Sequence, residues 1–169
     1  TSFEEWQPPA QPFDMLFSAT AWHWIKPEIG YPKAARVLAP GGHIAIFTSH
    51  HPTPYTGFFA ANAPILRSLA PELGDPSAPS ALDDAKRAPV EWLARDGLFA
   101  LVLERYYHWT RDYTSEQYIR LCNTYSSHIN LQPERRERLH AALGELIDRE
   151  FNGVVTRPYE TALFLAKKR

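Results

Sequence analysis

Two short, almost unbroken apolar runs flank a helix-forming stretch near the start of this sequence, and their spacing narrows the fold more than any other feature. The runs are Phe13-Asp14-Met15-Leu16-Phe17-Ser18 and His43-Ile44-Ala45-Ile46-Phe47-Thr48. Continuous apolarity over so few residues predicts strands buried on both faces, as in a parallel sheet. Between them, Lys33 to Leu38 reads as helix, with Ala34, Ala35, Val37 and Leu38 toward the buried side. Pro32 suits its first turn, and Pro40-Gly41-Gly42 reads as its stop. Strand, helix and strand joined this tightly make a right-handed crossover unit, so the fold class is α/β.

The rest of the chain extends this pattern. Ala61 to Leu73 reads as helix with Asn62 as its cap, and Gly74 to Pro89, rich in Pro, Ser, Ala and Asp, as a mobile connection or lid. A helix opens at Pro89 and closes at Gly97; Leu98 to Trp109 has the β-branched and aromatic content of a long strand. Thr114-Ser115-Glu116-Gln117 is a capping box, and Tyr118, Leu121, Cys122 and Tyr125 follow at the spacing of one helical face. Pro133 starts another helix with Leu139, Ala142, Leu143, Leu146 and Ile147 as its apolar stripe, Asn152-Gly153 ends it, and Tyr159 to Ala166 forms the last strand. The expected organisation is a cofactor-side α/β unit over 1–60, a helical lid over 61–97, and strands with an inserted helix pair over 98–169.

Composition excludes several function classes. A net charge of -1 over 169 residues argues against a nucleic-acid binder that relies on a basic surface. The one cysteine, Cys122, allows neither an internal disulfide nor a thiolate cluster, and its place on an apolar stripe predicts a buried structural thiol. No two of the 8 glycines are separated by a single residue, so no dinucleotide fingerprint is present. The apolar runs are far short of a membrane span, and the acidic, proline-rich start is unlike a signal peptide. A soluble, cytoplasmic domain is expected.

The strings FDMLFSATAWHWI and PEIGYPKAARVLAPGGHIAIF, in order and at usual spacing, resemble the second half of a class I S-adenosylmethionine-dependent methyltransferase of the type 11-like group. Looser matches continue through Gly97-Leu98-Phe99, Tyr113-Thr114, Tyr118, Thr124-Tyr125-Ser126 and Thr161-Ala162-Leu163. The resemblance implies a Rossmann-like sheet of which this chain supplies about the fourth to seventh strands, the last antiparallel, with S-adenosylmethionine as cofactor and a small-molecule methyl acceptor. The family's glycine-rich first motif and its ribose-binding acid are not in this sequence, and neither is an initiator Met. A carboxyl-terminal portion is therefore expected, its sheet edge open to pairing or homodimerisation. A non-catalytic interaction module, or a half that needs a partner chain, is the alternative.

Ligands of open α/β sheets lie beyond the carboxyl ends of the strands. With the resemblance, this places Ser18, Ala19 and Thr20 against the cofactor, Ser2 and Phe3 at its adenine, and Trp22 and His23 in its pocket. Turn formation and core packing are the alternatives for these residues. His23 is also the candidate general base, since imidazole titrates near neutral pH. Trp24, His50, His51, Tyr107 and Trp109 are the candidate substrate-pocket residues, with core packing the competing role for the aromatics. His50 and His51 are adjacent, point opposite ways on an extended chain, and have no Cys or carboxylate at metal-site spacing, so no metal is expected.

Overall fold

The computed structural model describes residues 1–74 and 89–169. Four strands, β1 (Phe13–Ala19), β2 (Leu38–His50), β3 (Phe99–Thr114) and β4 (Val154–Lys168), form one sheet in the order β1-β2-β4-β3. Helix α1 (Pro27–Val37) joins β1 to its parallel neighbour β2. The expected crossover unit is therefore present, and the last strand, β4, runs antiparallel to β2 as expected. Helices α2 (Gly57–Ala61) and α3 (Ala63–Leu69) follow β2, while α4 (Ser115–Cys122), α5 (Ser126–Ile129) and α6 (Pro133–Glu150) lie between β3 and β4 in sequence. Positions 89–94 are helical, and the expected mobile connection over 75–88 lies outside the described residues.

Several sequence expectations are corrected. α1 starts at Pro27, which takes the first-turn place expected of Pro32, and Pro32 lies inside the helix. Both prolines suit a helix start, and the earlier one sets it. Pro40-Gly41-Gly42 is not a helix stop. Leu38 is already extended and the triplet lies within β2, where the register with β1 shifts between Phe13↔Leu38 and Met15↔His43. A Cβ on Gly42 would stand 3.0–3.2 Å from the carbonyl oxygens of Ala39, Asp14 and Phe13, so this irregular pairing closes only around a residue with no side chain. Asn62 makes no side-chain cap and instead links two short helices. β1 is not buried on both faces. Its only described partner is β2, and Phe17 is 72% exposed, with Phe13 and Met15 also exposed.

The capping box is formed as expected. The Thr114 N–H donates to Gln117 Oε1 at 3.0 Å, and the Gln117 N–H donates to Thr114 Oγ1 at 3.3 Å. The face it starts ends at Cys122, and Tyr125 caps the next helix. β3 runs on to Thr114 and β4 begins at Val154, both longer than their apolar runs, because alternating polar residues continue the strands.

The chain divides into two compact units. The first holds residues 1–50, 89–108 and 160–169, and the second 51–74 and 109–159. In the first, Leu38, Ile44, Ile46, Leu93, Phe99 and Phe164 form the core with Trp22 and Tyr31. In the second, Leu139, Leu143 and Ile147 of α6 pack with Tyr118, Cys122, Val155 and Tyr159, and Phe58 sets its ring edge-on to Tyr118 and Phe151. Burial pushes the Cys122 thiol up to about 11, which suits the structural thiol expected from sequence. Arg135 reaches Glu72 through two hydrogen bonds of 2.9 and 3.1 Å.

The second unit also buries two histidines, His128 and His140, each 9% exposed, with Nδ1 of one 3.1 Å from Nε2 of the other. Burial depresses both imidazoles, helped by His140 and Arg157 at His128 and by Arg136 at His140. Each therefore binds its proton more weakly folded than unfolded. On acidification the unfolded chain gains these protons first, so this contribution is intact above about pH 6.5 and is lost as the pH falls below it. Chemical denaturation across pH 5–8 is expected to show that loss, and His140→Gln is expected to flatten it.

Candidate functional site

The carboxyl ends of the parallel strands β1 and β2 lie at one sheet edge, and the chain leaves β1 there through a strained turn. Thr20 takes a left-handed φ of 52° while its N–H donates to Phe47 O at 2.8 Å. A 3₁₀ turn over Trp22–Trp24 follows. It buries the Trp22 indole and leaves His23 and Trp24 exposed, their rings 4.8 Å apart. A Cβ on Gly30 would stand 2.6 Å from Ile25 Cγ2, so the bare glycine lets α1 lie against this turn.

Two recesses of the first unit share Trp22 and Ile25 as lining. One, of about 500 Å³, is lined by Ser2, Phe3, Trp6 and Trp22 together with Phe13, Leu16 and Ser18 of β1. The amino-terminal segment is held there by Lys33, whose ammonium is buried, donates to the carbonyls of Glu4 and Trp6, and lies 5.6 Å from the Phe3 ring centre. Glu4 accepts from the Lys26 N–H at 3.3 Å, and backbone hydrogen bonds hold its carboxyl below the usual range. The other recess, of about 490 Å³, is lined by Thr20, Trp22, His23, Tyr31, Thr48, Ser49, His50 and Trp92, among others. The Tyr31 ring stacks on Trp92 and meets Trp22 edge-on, and burial pushes its hydroxyl up to about 12.

The residues singled out from sequence thus fall into distinct places. Ser2, Phe3, Ser18 and Trp22 line the first recess, and Thr20, Trp22, His23 and His50 the second. Ala19 ends β1 and is exposed, as are Trp24 and Tyr107. His51 and Trp109 belong to the second unit. There His51 meets the Tyr159 ring edge-on at 5.0 Å and Trp109 stacks on it at 4.2 Å. Beside this cluster lies a residue the sequence reading passed over, Arg157. Val155, Arg157 and Tyr159 alternate inward on β4, a period-two signal that begins ahead of the apolar run from Tyr159 to Ala166. Among the described residues no three His, Cys, Asp or Glu side chains gather as a metal group, and no helix is long and apolar enough to cross a membrane.

No protein-family model matches this sequence, and no match is found among curated proteins. Solved structures do match. A candidate methyltransferase from Bacillus halodurans C-125 superposes with a TM-score of 0.51 at 18% identity, over 99% of this chain and 69% of its own. A candidate type II methyltransferase from Anaeromyxobacter dehalogenans gives 0.53 at 15% identity, over 96% and 66%. The parallel β1–β2 pair, the antiparallel final strand and these two superpositions together give the chain a class I methyltransferase fold.

Proposed function

We propose that the protein is an S-adenosylmethionine-dependent methyltransferase acting on a small molecule. The observation that carries this reading is the recess at the carboxyl ends of β1 and β2, lined by Thr20, His23, Thr48, Ser49 and His50, beside a second recess that runs along β1 and shares Trp22 and Ile25 with it, each of the size of a small-ligand site. The first recess fits the cofactor's chemistry. Phe3, Trp6, Phe13 and Trp22 offer aromatic surface to an adenine and a sulfonium, and Ser2 and Ser18 add hydroxyl-bearing side chains. Ser2, Phe3, Ser18 and Trp22 would hold it, with Ala19 and Thr20 supplying close backbone at the strand end. When bound, S-adenosylmethionine supplies an electrophilic methyl group.

The chain's own residues then position the acceptor and exclude water. In the second recess, Trp22, Tyr31 and Trp92 form an apolar wall, and Thr20, Thr48 and Ser49 supply hydroxyls to orient a polar acceptor. His23 and His50 line the same recess, where His23 takes the acceptor's proton. The test is release of S-adenosylhomocysteine in the presence of a panel of small amine, hydroxyl and thiol acceptors. Turnover is expected with at least one of them, and His23→Ala is expected to lower kcat about a hundredfold. No turnover with any acceptor would count against the activity, and full turnover by His23→Ala would remove the base role.

A further inference from the structure

Arg157 carries a positive charge that the second unit does not neutralise. Its side chain is only 6% exposed, yet no carboxylate among the described residues pairs with it. Buried charges are ordinarily paired, because removing an unpaired ion from water is costly. Of the five guanidinium N–H donors, one hydrogen bond is made, from Nη1 to the Tyr125 hydroxyl at 2.8 Å. Among the described residues Nε, which is buried, has no acceptor. The guanidinium lies over two aromatic faces, 5.4 Å from the Tyr125 ring centre and 5.7 Å from that of Tyr159. These contacts orient the planar fork without supplying a counter-charge.

The surroundings are receptive to an oxyanion. The Tyr125 hydroxyl accepts from Arg157, which leaves its own proton to donate. The Tyr113 and Tyr159 hydroxyls bond each other, which leaves one of their two protons to spare. The positive field of Arg157 also reaches Tyr118, Cys122, Tyr125 and His128. His51 and Trp109, packed on the Tyr159 ring, are exposed and give the cluster its solvent side.

We propose that Arg157, between Tyr125 and Tyr159, is a binding site for the carboxylate of a small ligand, which enters past His51 and Trp109. One guanidinium balances one negative charge, and its fork matches a planar carboxylate through two parallel hydrogen bonds. A phosphate dianion would need a second cation. The site lies wholly within the second unit and does not depend on methyl transfer.

The experiment follows the ¹⁵N–¹H resonance of Arg157 Nε by NMR while sodium benzoate, sodium acetate or inorganic phosphate is titrated into the cofactor-free protein. Saturable movement is expected with benzoate, weaker movement with acetate, and the least with phosphate. In parallel, calorimetric titration of Arg157→Lys, which keeps the charge but loses the fork, is expected to weaken benzoate binding at least about tenfold. An Nε resonance unmoved by either carboxylate would overturn the proposal, as would phosphate binding more tightly than benzoate. Equal benzoate affinity in Arg157→Lys would do the same. The wild-type titration decides the matter even if the variant fails to fold.

Discussion

Replacing Trp22 with alanine is expected to lower the unfolding free energy by about 3–5 kcal/mol. The indole is 7% exposed, meets Tyr31 edge-on at 5.2 Å and lies 5.7 Å from the Phe3 ring. Removing it opens a cavity beneath a turn already held in a left-handed conformation at Thr20, where little backbone freedom remains to collapse the space. The same change removes the wall shared by the two recesses, so stability and ligand binding should fall together. Urea unfolding followed by far-UV circular dichroism measures the first effect. A loss below about 1 kcal/mol would show that Trp22 is not a structural anchor of the site.

A comparable loss, about 3–5 kcal/mol, is expected for Phe164→Ala. Phe164 is fully buried on β4, opposite Ile46 of β2, with Tyr106 edge-on to its ring at 6.3 Å. β4 lies between β2 and β3, so no rearrangement at a free edge can fill the space. Phe17 is the control. It is the same residue type in β1, but 72% exposed at the sheet edge, and Phe17→Ala is expected to cost no more than about 0.5 kcal/mol. Thermal unfolding of the two variants side by side checks both figures, and equal losses would contradict the sheet order.

How far this fold can be read from sequence depends on whether the signal is local. The crossover unit was legible because two apolar runs and a helix-forming stretch each announce themselves within a few residues. The capping box at Thr114 was legible because its chemistry is confined to four residues. Pro40-Gly41-Gly42 misled because those residues serve a helix stop and a strand irregularity alike, and only the approach of Phe13 and Asp14 decides between them. The open face of β1 was hidden for a different reason. An apolar strand has the same composition whether or not a neighbour covers it.

The candidate site was readable on the same terms. Residues contiguous with β1 and β2, from Ser18 to His23 and at His50, could be assigned to one sheet edge from the crossover alone. Contributions that depend on distant pairing were not visible. The hold of Lys33 on the amino-terminal segment, the His128–His140 pair and the position of Arg157 between two tyrosine rings each need the folded chain.

The most direct measurement is calorimetric titration of S-adenosylmethionine into the protein and into its Trp22→Phe variant, which keeps an aromatic ring in place. If the recess lined by Phe3, Ser18 and Trp22 holds the cofactor, the wild-type protein binds saturably at one site and the variant binds about tenfold more weakly. No saturable binding by the wild type, or the same affinity in both, would contradict the account.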